Sequence, residues 1–222
     1  MRVLLLSRGV GAVAHFLSPA TAITRRPLRI GYLDDAQAGY AGAPFVRTEY
    51  AEALDLGHTL VRITVRDLPA PEIDRALAEL DAVYVASGST FALLEALRTS
   101  GADRILVDRV RAGLPYIGSS AGSIVAGPDI TPASLMDDPA DGPALTSFTG
   151  LRLVDHTVIP HADGKLPPYP PELIARTVDL YGGDYPLIPL RDDQALLVTD
   201  GQERVVDSGP VGLAPKAPTR EQ

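Results

Sequence analysis

In the stretch Gly118-Ser119-Ser120-Ala121-Gly122, an apolar run at residues 114–117 meets a second one at 124–126 across a cluster of small side chains. The G-x-S-x-G pattern is that of a strand turning sharply into a helix, with the middle serine pushed out at the bend. Small residues at 118 and 122 suit backbone that runs close to neighbouring elements. Ser120 is therefore the candidate nucleophile. The amide of Ala121, in the first turn of the following helix, would face an oxygen held beside Ser120, where free N–H groups stabilise developing negative charge. A Gly/Ser-rich turn after a strand also serves as plain punctuation or as a phosphate cradle. The catalytic reading depends on what else the chain supplies.

A serine at neutral pH needs a base to take its proton, and histidine is the usual one. The chain has four histidines. His15 falls in a helical stretch and His58 just after a helix end, where a cationic or capping role suffices. His156 lies within a strand pattern that Pro160 ends, which puts His161 in the loop beyond. Loops at strand ends are where chemistry collects, so His161 is preferred to His156. A carboxylate behind the ring would fix its tautomer, and Asp129, Asp137, Asp138, Asp141 and Asp155 all lie between Ser120 and His161. Each of them also fits a solvated loop or an Asx turn. Asp155, His156, His161 and Asp163 are possible metal ligands, but their spacing matches no zinc-ligand signature, and no metal is expected.

Composition narrows the classes. A chain of 222 residues, 45% hydrophobic and 22% charged, buries about 70% of its unfolded surface as one core. The expectation is a single catalytic domain over residues 1–214 and a frayed tail over 215–222. A formal net charge of −8 argues against nucleic acid and anionic membrane as partners, since either would need a basic face. The absence of cysteine removes disulfides, thiolate zinc sites and cysteine nucleophiles together. The apolar N-terminal run is broken by Arg8, too early for an export signal, and reads as a first strand. No stretch has the roughly 18 apolar residues of a membrane span, and a cytoplasmic protein is expected.

The elements that must position these residues alternate along the chain. Strand-like runs at 3–6, 28–33, 59–65, 82–86 and 115–117 are separated by helical patterns at 10–17, 44–56, 71–80, 90–98 and 102–112. Such repetition predicts an α/β fold, a doubly wound, mostly parallel sheet with helices on both faces. Ligands of these sheets bind beyond the carboxyl ends of the strands. Ser87-Gly88-Ser89-Thr90 and Gly118-Ser119-Ser120 would share that neighbourhood, and Gly88 could lend a second amide to an oxyanion. Ser89 or Thr90 would serve equally as a helix cap. Residues 127–150, rich in Pro, Asp, Gly and Ser, read as a long surface loop over the site. Strand character at 151–160, a Pro-rich connection at 166–171, a helix at 172–180 and short closing strands at 186–190, 194–199 and 204–207 complete the chain.

Together, Ser87-Gly88-Ser89-Thr90-Phe91 with Leu93-Leu94, Gly118-Ser119-Ser120-Ala121-Gly122-Ser123, and Pro160-His161 resemble the peptidase E (alpha-aspartyl dipeptidase) family of serine peptidases, which also includes the cyanophycinases. The resemblance runs in order from the first strand to the helix after His161. It implies a flavodoxin-like sheet similar to that of class I glutamine amidotransferases. It also implies Ser120 as nucleophile, His161 as base, and the amides of Gly88 and Ala121 as oxyanion donors. The family's acid sits in an N-D-M-P segment, whose counterpart here is Asp137-Asp138-Pro139. Anchoring on the proline selects Asp137, with Asp138 the alternative. Where the family commonly reads G-G-N-T-F, Ser89 replaces the asparagine as the substrate-contacting residue. The basic residue that recognises an N-terminal aspartate is replaced by the proline-rich run, leaving Lys165 and Arg176 as available cations.

The expected activity is hydrolysis of short peptides, foremost dipeptides with an N-terminal aspartate, through an acyl-enzyme. The partner is a small peptide, no cofactor is required, and association into a homo-oligomer is compatible with the sequence. Three rivals are an α/β-hydrolase, a glutaminase partner domain and a catalytically silent binding protein. The first needs more than the 41 residues between Ser120 and His161, and the second needs a cysteine.

Overall fold

The computed structural model of the chain describes residues 1–199 and 201–209. The tail expected to fray, at 215–222, lies outside them. Nine strands and seven α-helices are found among the described residues: β1 (Arg2–Leu6), α1 (Val13–Thr24), β2 (Arg29–Leu33), α2 (Pro44–Leu54), β3 (Thr59–Ile63), α3 (Ala70–Ala78), β4 (Ala82–Val85), α4 (Thr90–Ser100), α5 (Ala102–Arg111), β5 (Tyr116–Ser119), α6 (Ala121–Ile124), β6 (Thr157–Ile159), α7 (Pro171–Tyr181), β7 (Leu187–Pro189), β8 (Gln194–Thr199) and β9 (Gln202–Asp207).

Seven strands form one sheet in the order β3-β2-β4-β5-β1-β8-β9. The first five run parallel, and β8 and β9 close the edge as an antiparallel hairpin against β1. The continuous apolar runs of β1 and β4 follow from this arrangement, because a strand covered on both faces needs no polar alternation. Val3, Leu5, Val83, Val85 and Tyr116 pack on one face against α3, α4, α5 and α6. Leu4, Leu6, Tyr32, Tyr84 and Ile117 pack on the other against Val13, Phe16 and Leu17 of α1 and Ala53 of α2. This is the expected doubly wound α/β domain. No helix among the described residues is long and apolar enough to cross a membrane.

Three expectations are corrected. The helix placed at 10–17 extends to Thr24 and passes through Pro19. Pro19 cannot donate to the carbonyl four residues back, but the Ser18 hydroxyl donates to that His15 carbonyl at 2.8 Å instead. Residues 127–150 form no open loop. An Asp129–Thr149 bridge pins the segment, short 3-10 turns occupy Thr131–Leu135 and Pro139–Asp141, and Ile130 and Ala133 enter the core. The strand expected over 151–160 shrinks to β6, which pairs with β7 in a separate two-stranded parallel sheet. Its first half is diverted because Leu151 and Leu153 donate to the carbonyls of Val125 and Ala126 beyond α6.

Candidate active site

The register pairs Gly118 with both Leu5 and Val85, so β1, β4 and β5 end together. Ser120 follows β5 with φ of 46° and ψ of −103°, a conformation costly for a residue with a Cβ. Its surroundings enforce it. The Ser120 amide donates to the Leu6 carbonyl at 3.1 Å, and the amides of Ser123 and Ile124 donate back to the Ser120 carbonyl at 2.8 and 3.0 Å. The Ser123 hydroxyl adds a bond to Leu6 at 2.7 Å. A Cβ on Gly122 would lie 2.1 Å from the Val85 carbonyl oxygen, so only glycine allows α6 to sit this close to β4.

The loop after β6 delivers His161, buried and with φ of 60°. Its amide donates to the Ser7 hydroxyl at 2.8 Å, which ties the loop to the end of β1. The ring Nε2 is 3.1 Å from Ser120 Oγ, and Nδ1 is 2.7 Å from Asp192 Oδ1. An ionised carboxylate can only accept, so Nδ1 carries the proton and Nε2 offers its lone pair to the serine hydroxyl. Partial burial opposes ionisation of Asp192. The hydrogen bond and charge of His161, with Arg8 and the Ser7 hydroxyl, overcome it and hold the carboxyl below the usual aspartate range.

Asp137, expected behind the imidazole, does not occupy that position. Its Oδ2 accepts from the amide and the hydroxyl of Thr90 at 2.9 and 2.5 Å, and Oδ1 lies 3.5 Å from the Tyr169 hydroxyl. Burial pushes its pKa up, Asp141 adds to this, and Thr90 and His161 counter it. Asp138 instead caps its own turn, accepting from Ala140 at 2.9 Å. Tyr169 lies flat on His161, the ring centroids 4.9 Å apart and the planes 3° from parallel. His156 instead meets Glu203, with Nδ1 2.7 Å from Oε2.

Gly88 follows β4 with φ of +136°, and a Cβ there would sit 2.2 Å from the Ala36 carbonyl oxygen. Among the described residues, neither the Gly88 amide nor the Ala121 amide has an acceptor. Ser89 is buried as the N-cap of α4, its hydroxyl accepting from Ala92 at 3.3 Å. Lys165 pairs with Asp163 at 3.0 Å, and both line a cavity of about 520 Å³ beside Asp192, together with Arg8, Glu52 and Asp55.

A serine hydroxyl, an imidazole and a carboxylate thus share one strand-end crevice. The sequence model of Peptidase family S51 matches residues 23–206 of the chain. The chain belongs to this family. It is 31% identical over 169 residues to the uncharacterized peptidase PM1590 of Pasteurella multocida, covering 76% of this chain and 74% of that protein. It is 32% identical over 165 residues to a peptidase E of Streptomyces coelicolor, covering 72% and 64% respectively. A crystal structure of a "Putative Peptidase E Protein" from Listeria monocytogenes EGD-e superposes with a TM-score of 0.78 at 23% identity, covering 93% of this chain and 98% of that one, and shows the same fold. Membership of family S51 makes the chain a serine peptidase.

Sequence reasoning missed Asp192, Ser7 and Tyr169. Asp192 lies 31 residues beyond His161, outside the interval searched for an acid. No local pattern marks it: Arg191-Asp192-Asp193 immediately precedes β8, and only the antiparallel pairing of β8 with β1 brings the start of β8 to the end of β1.

Proposed function

We propose that the protein is an exopeptidase that removes residues from the amino end of short peptides through an acyl-enzyme on Ser120. His161 Nε2 takes the serine proton as Oγ attacks the scissile carbonyl, and the ionised Asp192 supports the imidazolium that forms. The amides of Gly88 and Ala121 receive the oxyanion. The imidazolium then protonates the departing amine, and water attacks the ester with His161 as base again. The observation that carries this reading is the continuous Ser120–His161–Asp192 relay, with contacts of 3.1 and 2.7 Å, on a strained strand-end turn.

The charge around the nucleophile supports recognition of a free amino group. Asp137 is held beside the Gly88 loop by Thr90 and near His161 by Tyr169, with no cation paired to it among the described residues. A substrate ammonium would supply that partner. An N-terminal aspartate, expected from the resemblance, would need a cation instead. The charge of Lys165 is offset by Asp163, that of Arg8 acts on Asp192, and Arg176 lies on the surface of α7 beside Glu172 and Asp179. We therefore propose neutral N-terminal side chains as the preferred class.

Free amino acid release from Asp-X, Glu-X and apolar dipeptides, each with and without N-acetylation, tests this. Unblocked apolar dipeptides should be cleaved best, and acetylation should lower kcat/KM at least tenfold. Ser120→Ala should lose turnover and fluorophosphonate labelling while keeping a native melting curve. Turnover retained in that variant would overturn the mechanism.

A further inference from the structure

Beneath the Gly88 loop lies a buried carboxylate that the mechanism above does not use. Glu49 projects from the middle of α2 into the space between the ends of β2, β4 and β5. Its Oε2 accepts from the Gln37 amide at 2.8 Å and the Ser87 hydroxyl at 2.6 Å. Its Oε1 accepts from the Ser87 amide at 3.1 Å and the Tyr84 hydroxyl at 3.2 Å. Every one of these donors is neutral, and no Lys, Arg or His among the described residues forms an ion pair with the carboxylate. A buried carboxylate without a counter-charge is expensive to keep for stability alone. Its partners explain its position. Ser87 immediately precedes Gly88, and Gln37 adjoins Ala36, whose carbonyl receives the Ser89 amide at 2.9 Å.

We infer that Glu49 is a positioning residue that sets the Gly88 half of the oxyanion site, holding that loop directly through Ser87 and bracing it through Gln37 beside Ala36. It touches no reacting atom. Oxyanion stabilisation depends on donors fixed before charge develops, and displacement by a fraction of an ångström weakens it. Glu49→Gln keeps the shape but places an NH₂ group where two N–H or O–H donors already point, so one of them must turn away.

The inference rests on the serine-peptidase reading, and the test separates the two. Second-order rate constants for fluorophosphonate labelling of Ser120 are measured against pH for the native chain and for Glu49→Gln, at temperatures where both are folded. Labelling of the variant should be at least tenfold slower, with the pH midpoint unchanged because Glu49 does not contact His161 or Asp192. Equal rates, or a midpoint that moves with the rate, would overturn the role assigned to Glu49. Absence of labelling in the native chain would overturn both readings. Should Glu49→Gln fail to fold, Ser87→Ala removes only the hydroxyl at 2.6 Å; it should slow labelling at least threefold, and a native rate would overturn the inference.

Discussion

Two carboxylates stand near one imidazole, and their hydrogen-bond partners separate their roles. Asp192 meets the Nδ1 proton at 2.7 Å and is kept ionised. Asp137 turns its better-placed oxygen to Thr90 and only borders the site. Asp192→Asn should therefore lower kcat on the order of 10³–10⁴-fold, as expected when the wrong tautomer is favoured, with little change in KM. Asp137→Asn should raise KM for unblocked dipeptides while leaving the fluorophosphonate labelling rate within about threefold. Steady-state kinetics on one apolar dipeptide, with and without its acetyl group, reads both. At this scale the sequence marked Ser120 and His161, which the fold brings to 3.1 Å of each other, because an elbow and a histidine just past a strand-ending proline carry local signals. The acid carried none. Any of several aspartates could satisfy a one-dimensional search, and the choice between them depends on where β8 begins in space.

At the level of elements, the site is an appointment kept by strand ends, and the glycines mark how closely those ends approach. Gly88 combines φ of +136° with a Cβ position 2.2 Å from the Ala36 oxygen. Gly88→Ala should cost roughly 1–3 kcal/mol from backbone strain and crowding. It should also displace the amide proposed to receive the oxyanion. The expected outcome is a variant that melts several degrees lower and labels with fluorophosphonate more than tenfold more slowly, even where it is fully folded. The strands β1 to β5 were legible because a strand buried on both faces is written as an unbroken apolar run. The irregular segment at 127–155 was not. Its conformation is decided by backbone carbonyls at 125–128, which leave no mark on side-chain pattern. The extension of α1 through Pro19 was hidden for a similar reason, since the compensating Ser18 hydroxyl is visible only once the helix exists.

The molecule as a whole buries charge of one sign under opposed constraints, and its stability should depend on pH in two directions. Burial pushes the Glu49 carboxyl up from 4.5, so folding favours its protonated form. The stability this group contributes is present below the unfolded value and lost as pH rises through the folded one. Asp192 is held below 3.8, so its contribution is present above the unfolded value and lost as pH falls through the folded one. A tenfold change in proton affinity is about 1.4 kcal/mol, on the order of 3–6 °C in Tm for a chain of this size. Melting curves from pH 3 to 8 should show the stability advantage of the native chain over Glu49→Gln shrinking as pH rises above about 4.5, because the variant has no carboxylate to ionise in the core. The advantage over Asp192→Asn should instead shrink as pH falls below about 4, where the native carboxyl takes up a proton and loses its hold on His161. Parallel curves for both variants across the whole range would show that neither group titrates differently in the folded and unfolded chain. The opposed electrostatic environments assigned to the base of the Gly88 loop and to the rear of the imidazole would then both be wrong.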